Sequence, residues 1–304
     1  MSLLIMNGGS DETDGVIHQA NPHLTLNSDD TLFHLGLSTD QNLEEKFGDV
    51  KFVCMGGSTS RMHGYAEYLA KELQIQDATL EDLCTTDRYE MYKVGPVLSI
   101  SHGVGMPSIS VLLHEVIKLL FYARCRHVKI IRIGTCGGLG LVPGTVVVSE
   151  MVVNEAFEPV YQVFVLGKTE KRPTHLDKAL GDEIAACRPS DAGYEVVRGK
   201  TMCTSDFYEG QSRLDGAICD YTETDKMSYL QSAYDNGVRN IEMESACVAS
   251  MCNRVNIKSA IVCVTLLNRL KDDLVSTPHD DLKKWEMRPQ QLVTSYIKSQ
   301  INSI

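Results

Sequence analysis

Two adjoining segments near the middle of the chain restrict its fold most. From Met106 to Arg124, the residues Ile109, Leu112, Leu113, Val116, Leu119 and Leu120 recur at helical spacing and Pro107 suits a first turn, so the segment reads as a helix burying a broad stripe. Directly after it, His127 to Ile133 is a nearly unbroken apolar, β-branched run ending in Gly134-Thr135-Cys136-Gly137-Gly138. Strands of that kind are covered on both faces, which calls for helices above and below a sheet.

The same alternation runs through most of the chain. Val50 to Met55 reads as a strand, followed by Gly56-Gly57-Ser58-Thr59-Ser60 and an amphipathic segment from Arg61 to Leu73. Tyr89 to Tyr92 and Val97 to Ser101 flank Lys93-Val94-Gly95-Pro96 and read as a hairpin. Further strands are expected at Thr145 to Val153, Glu195 to Cys203, Val238 to Ile241 and Ser259 to Leu267, with helices at Asp225 to Asn236, Glu244 to Val255 and the C-terminal segment. Thr174-x-x-Asp177 resembles a capping box for a helix running to about Cys187. The pattern predicts a three-layer α/β fold, a central mixed β-sheet flanked by helices. Residues 1–30 are polar and aperiodic and read as a flexible arm, leaving residues 31–304 as one domain.

Composition removes several classes of function. Lysine and arginine total 29 against 40 aspartates and glutamates, a net charge of −11, which argues against nucleic acid or an anionic membrane as partner. The longest apolar stretch, Val111 to Ala123, is interrupted by His114, Glu115 and Lys118 and falls short of the roughly 18 residues a bilayer span needs. The start of the chain lacks the basic flank and apolar length of a secretory signal, so a cytoplasmic protein is expected. No two of the ten cysteines lie at Cys-x-x-Cys spacing, and reduced, buried thiols are expected rather than metal or redox chemistry.

In open α/β sheets, ligands gather at the carboxyl ends of strands, and four such loops stand out. Gly56-Gly57-Ser58-Thr59-Ser60-Arg61 offers amides, hydroxyls and an arginine where a helix begins, which suits either an anion or a plain strand-to-helix turn; it is no Walker loop, since Gly-Lys-Ser/Thr does not follow. Arg132 interrupts an apolar strand two residues before the glycine turn, so it requires a bound anion or an internal carboxylate. A Gly-x-Gly-x-x-Gly fingerprint is absent. In Phe207-Tyr208-Glu209-Gly210-Gln211-Ser212-Arg213, Gln211 and Arg213 can read a ring of alternating carbonyl and N–H groups and Phe207 can face it, though an ordinary solvated loop also fits. In Glu242-Met243-Glu244, a continuing strand would put both carboxylates on one face, as sugar binding needs; otherwise Glu244 opens the next helix. His34 fits a surface or a site, while His102, His114 and His127 read as structural. No His, Cys, Asp and Glu set has metal-ligand spacing, and Gly-x-Ser-x-Gly does not occur.

Taken in order, these motifs resemble the nucleoside phosphorylase family, and within it the animal branch that acts on uridine. The resemblance covers nearly the whole chain from about Phe33. It rests on Phe33-His34-Leu35-Gly36, Gly56 to Met62, Thr86-Asp87-Arg88-Tyr89, Ile131 to Thr135, Cys203 to Arg213, Asn240 to Ser245 and Cys263 to Arg269. It implies that Gly57, Arg61, Arg132 and Thr135 hold inorganic phosphate, with Arg88 supplied by a neighbouring subunit. His34, also from the neighbour, would contact the ribose 5′-hydroxyl. Met243 and Glu244 would hold the ribose with Glu242 close by. Gln211 and Arg213 would bind the uracil edge, Phe207 and Gly137 would border the ring, and Leu266, Leu267 and Arg269 would close the base pocket.

The activity so implied is reversible phosphorolysis of uridine to uracil and ribose 1-phosphate in pyrimidine salvage, with phosphate as co-substrate, no cofactor or metal, and a homodimer as the smallest working unit. Arg132, Gln211, Arg213 and Glu244 would carry the chemistry. A purine nucleoside phosphorylase or nucleosidase of the same fold, or a catalytically silent paralogue, are the alternatives. Cys136 stands where the family usually has Ser or Thr, and purine readers tend to place an aspartate where this chain has Asn268-Arg269.

Overall fold

The structure, a computed structural model, describes residues 15–26, 29–75 and 80–301. In chain order the elements are β1 (Thr31–Leu32), β2 (Leu37–Ser38), α1 (Leu43–Phe47), β3 (Phe52–Gly56), α2 (Thr59–Glu72), β4 (Met91–Val94), β5 (Val97–Ser101) and α3 (Met106–Tyr122). Next come β6 (Lys129–Gly138), β7 (Val146–Val153), β8 (Val160–Val165), β9 (Lys168–Pro173), α4 (Lys178–Ala186) and β10 (Val196–Cys203). The remainder is α5 (Glu223–Asp235), β11 (Val238–Glu242), α6 (Ser245–Arg254), β12 (Lys258–Asn268) and α7 (His279–Ile301).

Eight strands form one mixed sheet in the order β11-β10-β7-β12-β6-β3-β5-β4. The strand period of two sorts its side chains between two helical layers. Val53, Met55, Ile130 and Ile261 pack on the side of α1, α3 and α6, whereas Phe52, Cys54, Ile131 and Val262 pack on the side of α2, α4 and α7. The expected three-layer architecture is thus present.

The sheet also closes on itself. Strand β6 pairs in parallel with β3 over Lys129 to Arg132, then turns so that Gly137 and Gly138 pair antiparallel with Ile241 and Asn240 of β11. With the β6–β12, β12–β7, β7–β10 and β10–β11 pairings, five strands make a ring. Glycine permits the bend: a Cβ on Gly138 would lie 3.0 Å from the Leu267 carbonyl oxygen. The bend brings the ends of β3, β5, β6, β10, β11 and β12 around one hollow.

Three local expectations change. The helix after Thr174 begins at Lys178 with Asp177 as its cap, whose carboxylate accepts from the Leu180 amide at 2.7 Å. Thr174 is instead drawn to β7, donating to the Val152 carbonyl at 2.7 Å. The hairpin β8–β9 has no counterpart in the sequence reading. Finally, residues 15–26 of the expected loose arm lie along the body: Ile17 is buried, Val16 bridges to Arg126, and the His18 amide donates to the Val255 carbonyl at 2.9 Å. Residues 1–14 of that arm, and residues 27 and 28, lie outside the described residues. Among the described residues no helix is long and apolar enough to cross a membrane.

Candidate active site

The hollow at the strand ends is a cavity of about 360 Å³. Its wall includes Gly57, Arg61, Arg132, Thr135, Gly137, Phe207, Gln211, Arg213, Glu242, Met243, Glu244, Leu266 and Leu267, so motifs spread over more than 200 residues of sequence meet in one place.

At one end lies the turn after β3. Ser58 caps α2, its hydroxyl accepting from the Arg61 amide at 3.5 Å, and Arg61 extends from the first turn of that helix. A Cβ on Gly57 would lie 3.1 Å from the Gly103 carbonyl oxygen, tighter than an ordinary contact, so glycine suits a backbone that runs this close to the loop after β5. The partly exposed Arg61 has one loose ion pair, to Glu286 at 3.7 Å. This corner combines a helix N-terminus with a cation able to turn inward, as an anion requires.

Arg132, on the cavity wall, has the internal carboxylates that its place in an apolar strand called for. It is buried, and its guanidinium lies between two carboxylates, Glu242 at 3.1 Å and Glu244 in a closer contact, with Cys263 Sγ accepting at 2.9 Å. Burial opposes its charge, but Glu242 and Glu244 outweigh burial and hold the guanidinium above its ordinary range. The same charge holds the Glu244 carboxyl below its ordinary range despite burial, while burial dominates at Glu242 and raises it. Room for the guanidinium comes from Gly134, where a Cβ would lie 2.4 Å from Arg132 Nη1.

The two glutamates therefore do not share a strand face. Strand β11 ends at Glu242, and Glu244 immediately precedes α6. Glu242 accepts from the amides of Glu244 and Ser245, the Ser245 hydroxyl and Arg132, so its oxygens are fully engaged by the protein and it fixes the turn. Glu244 accepts from the Gly105 amide at 2.6 Å and from Arg132, which aims its carboxylate at the cavity wall. Of the pair, Glu244 is the one suited to sugar hydroxyls.

At the other end, a single turn of 3-10 helix (Glu209–Gln211) and a left-handed Ser212 bring Gln211 and Arg213 inward. Gln211 donates to the Thr204 hydroxyl at 3.1 Å, and its side-chain oxygen accepts from Arg269 at 3.4 Å. Those two contacts fix which way the amide points and leave one N–H and one lone pair for a ligand. Arg269 is wholly buried behind Gln211 and absent from the cavity wall; its guanidinium donates to the Gln211 carbonyl at 2.6 Å and to Asp273 at 2.7 Å. It braces the base reader rather than lining the pocket. Arg213 donates to the Asp273 carbonyl at 3.0 Å, its Nε has no partner among the described residues, and its guanidinium lies 4.3 Å from the Phe207 ring centroid. One face of the Phe207 ring thus carries Arg213, while Phe207 itself stays on the cavity wall.

Two further positions are settled by their partners. The Cys136 thiol donates to the Val264 carbonyl at 3.3 Å, so the residue that departs from the family pattern uses its hydrogen bond within the sheet. Asn268 accepts from the amides of Gly140 and Leu270, both at 3.1 Å, pinning a loop instead of offering a side chain to a base.

Arg88 and His34 lie away from this cavity. They sit together on the chain's surface, where the Thr85 amide donates to the Leu35 carbonyl at 3.1 Å and the Thr86 hydroxyl donates to the His34 carbonyl. His34 Nδ1 is 2.6 Å from Glu115 Oε1. His102 departs most from the sequence reading. Instead of a structural histidine it is a cavity-wall residue, wholly buried, with neither ring nitrogen hydrogen-bonded among the described residues. Burial, and next the charge of Arg132, push its pKa down to about 3. Its signal was available in the sequence, since it directly follows a strand and precedes Gly-x-Gly at the start of a helix.

This fold and site define a protein of the phosphorylase type. Residues 51–298 match the phosphorylase superfamily, and the chain belongs to that family. It is 51% identical to uridine phosphorylase 1 of Mus musculus over 95% of this chain and 94% of that protein. It is also 41% identical to the inactive uridine phosphorylase B of Schistosoma mansoni over 91% of this chain and 95% of that one. A solved uridine phosphorylase of Phytophthora capsici superimposes with a TM-score of 0.92 at 46% identity, covering 95% of this chain and all of the other.

Proposed function

We propose that the chain is a uridine phosphorylase: it transfers the ribosyl group of uridine to inorganic phosphate and, in reverse, rebuilds the nucleoside. Phosphate sits at the Gly57, Arg61 and Thr135 corner and attacks the anomeric carbon. The C1′–N1 bond breaks, its electron pair leaves with uracil, and a proton from solvent completes the free base. Positive charge develops on the ribose ring beside Glu244, and negative charge on the uracil beside Arg213 and the Gln211 N–H, so each lies where it strengthens as the bond opens. Arg132 contributes by holding Glu244 ionised and in place, and it reaches phosphate only by sharing its guanidinium with that carboxylate.

One observation carries the choice of a pyrimidine. Gln211, fixed by Thr204 and Arg269, has one donor and one acceptor left, which match the adjacent N–H and carbonyl of a uracil edge. The Asn268 side-chain oxygen is engaged by two backbone amides and the residue is not part of the cavity wall, which disfavours it as a purine reader. Because a relative this similar is named inactive, membership of the family does not decide turnover; the intact Gln211, Arg213, Glu244 and Arg61 set supports an active enzyme.

The adjoining placement of Arg88 and His34 on an outer surface supports a homodimer whose sites are each completed by the other chain. No cofactor or metal has a role in this chemistry, and the reading is of a cytoplasmic protein with residues 31–304 as one domain. Gln211→Leu tests the assignment. Uridine kcat/KM should fall roughly 100-fold or more, because buried base atoms lose their partners, while the KM for phosphate moves by less than about twofold. Equal damage to both substrates would show that the loop does not read the base.

A further inference from the structure

His102 belongs to no role described so far. It is fully buried, faces the cavity, and has no hydrogen-bond partner at either nitrogen among the described residues. Its place is the phosphate corner: a Cβ built on Gly57 would lie 3.7 Å from His102 Cε1 and 3.8 Å from Arg61 Nη2, so imidazole and guanidinium converge on one point. The ring is neutral at working pH, because burial and then Arg132 oppose a second proton. A neutral imidazole presents one N–H and one lone pair. The Gly103 backbone favours the N–H electrostatically without reaching hydrogen-bond geometry, and even a full bond there would leave the lone pair without a donor. A buried polar atom left in this state marks where a ligand supplies the partner.

We infer that His102 is a phosphate ligand that accepts a hydrogen bond from the hydroxyl of hydrogen phosphate, and so selects phosphate over anions without a hydroxyl. Bare oxygens of a tetrahedral anion satisfy Arg61, the Gly57 turn and any N–H, but none can donate to a lone pair. Hydrogen phosphate carries one O–H at neutral pH, whereas sulfate carries none. This inference rests on the phosphorolytic reading and adds to it the group that distinguishes the nucleophile.

The test is calorimetric titration of the full chain with inorganic phosphate and with sulfate, alongside phosphorolysis kinetics, for wild type, His102→Ala, His102→Leu and His102→Asn. Leu fills the space without a polar atom, so it carries the test should the Ala variant fail to fold. Phosphate affinity should fall about 10-fold in the Ala and Leu variants, sulfate affinity should change less than about twofold, and the KM for uridine should hold. Asn, whose side-chain oxygen accepts, should recover part of the preference. Equal loss of both anions, an unchanged preference, or an effect on uridine KM instead would overturn the inference while wild-type phosphorolysis stands. A wild type that cleaves uridine without phosphate would overturn the underlying reading and this inference with it.

Discussion

Gly134→Ala tests the packing of Arg132 without replacing any charged group. The new methyl carbon would lie 2.4 Å from Nη1, 2.9 Å from Cζ and 3.1 Å from Nη2 of Arg132. Ordinary contact needs about 3.5 Å, so the guanidinium must retreat by about 1 Å. It has nowhere free to go, since its terminal nitrogens are tied to Glu242, Glu244 and Cys263. Such a retreat stretches the 3.1 Å contact with Glu242 beyond hydrogen-bond range. Disrupting a buried ion pair destabilises by about 3 kcal/mol, which lowers Tm by about 5 °C in a chain of this size. Displacing Glu244 by a similar distance should lower kcat by about 100-fold. Differential scanning fluorimetry and steady-state uracil release read both effects. Gly64→Ala, in α2 with nothing within 4 Å of its new Cβ, is the matched control and should stabilise by about 0.5–1 kcal/mol. A Gly134→Ala protein with wild-type Tm and kcat would refute the claim that the guanidinium is locked in place.

Two further predictions concern titration and assembly. His102 has a folded pKa pushed down to about 3 against an ordinary 6.5, so the unfolded chain binds a proton first; its contribution is intact above pH 6.5 and is lost as pH falls toward 3, amounting to about 2 kcal/mol by pH 5. His102→Leu should flatten that part of the urea-stability profile, and an unchanged acid limb would contradict the burial of a neutral ring. Mixed dimers of an Arg88→Ala chain with a Gln211→Leu chain should regain one working site per pair; no recovery of activity on mixing would count against shared sites.

How much was legible depended on whether a residue's role is local. The apolar runs at β3, β6 and β12 and the stripe of α3 announce themselves because burial on one or two faces imposes a period. The loops of the site followed from the rule that ligands gather at strand ends. Partners were not legible: Arg132 clearly needed an anion, but whether Glu242, Glu244 or phosphate filled that role depends on β11 lying against β6. For Glu242 and Glu244 the sequence left two readings open, a shared strand face or a glutamate at the start of the next helix, and the strand's stop at Glu242, whose carboxylate caps the turn, decides for the second. Thr174 had the right spacing for a cap, yet β7 took its hydroxyl. The β8–β9 hairpin turns on Leu166 and Gly167, both at positive φ, and a leucine there hides the usual turn signal. His102 follows a strand and precedes Gly-x-Gly, which is a signal for a site, but that position suits a structural histidine as well until its nitrogens are found unpartnered among the described residues.

The central claim is that a phosphate-accepting corner and a uracil-reading corner act on one glycosidic bond. Incubating the full chain with uridine, with and without inorganic phosphate, and following free uracil and ribose 1-phosphate tests it most directly. Uracil and ribose 1-phosphate should appear in equal amounts with phosphate and only at background without it. Uracil released at the same rate in phosphate-free buffer would contradict it.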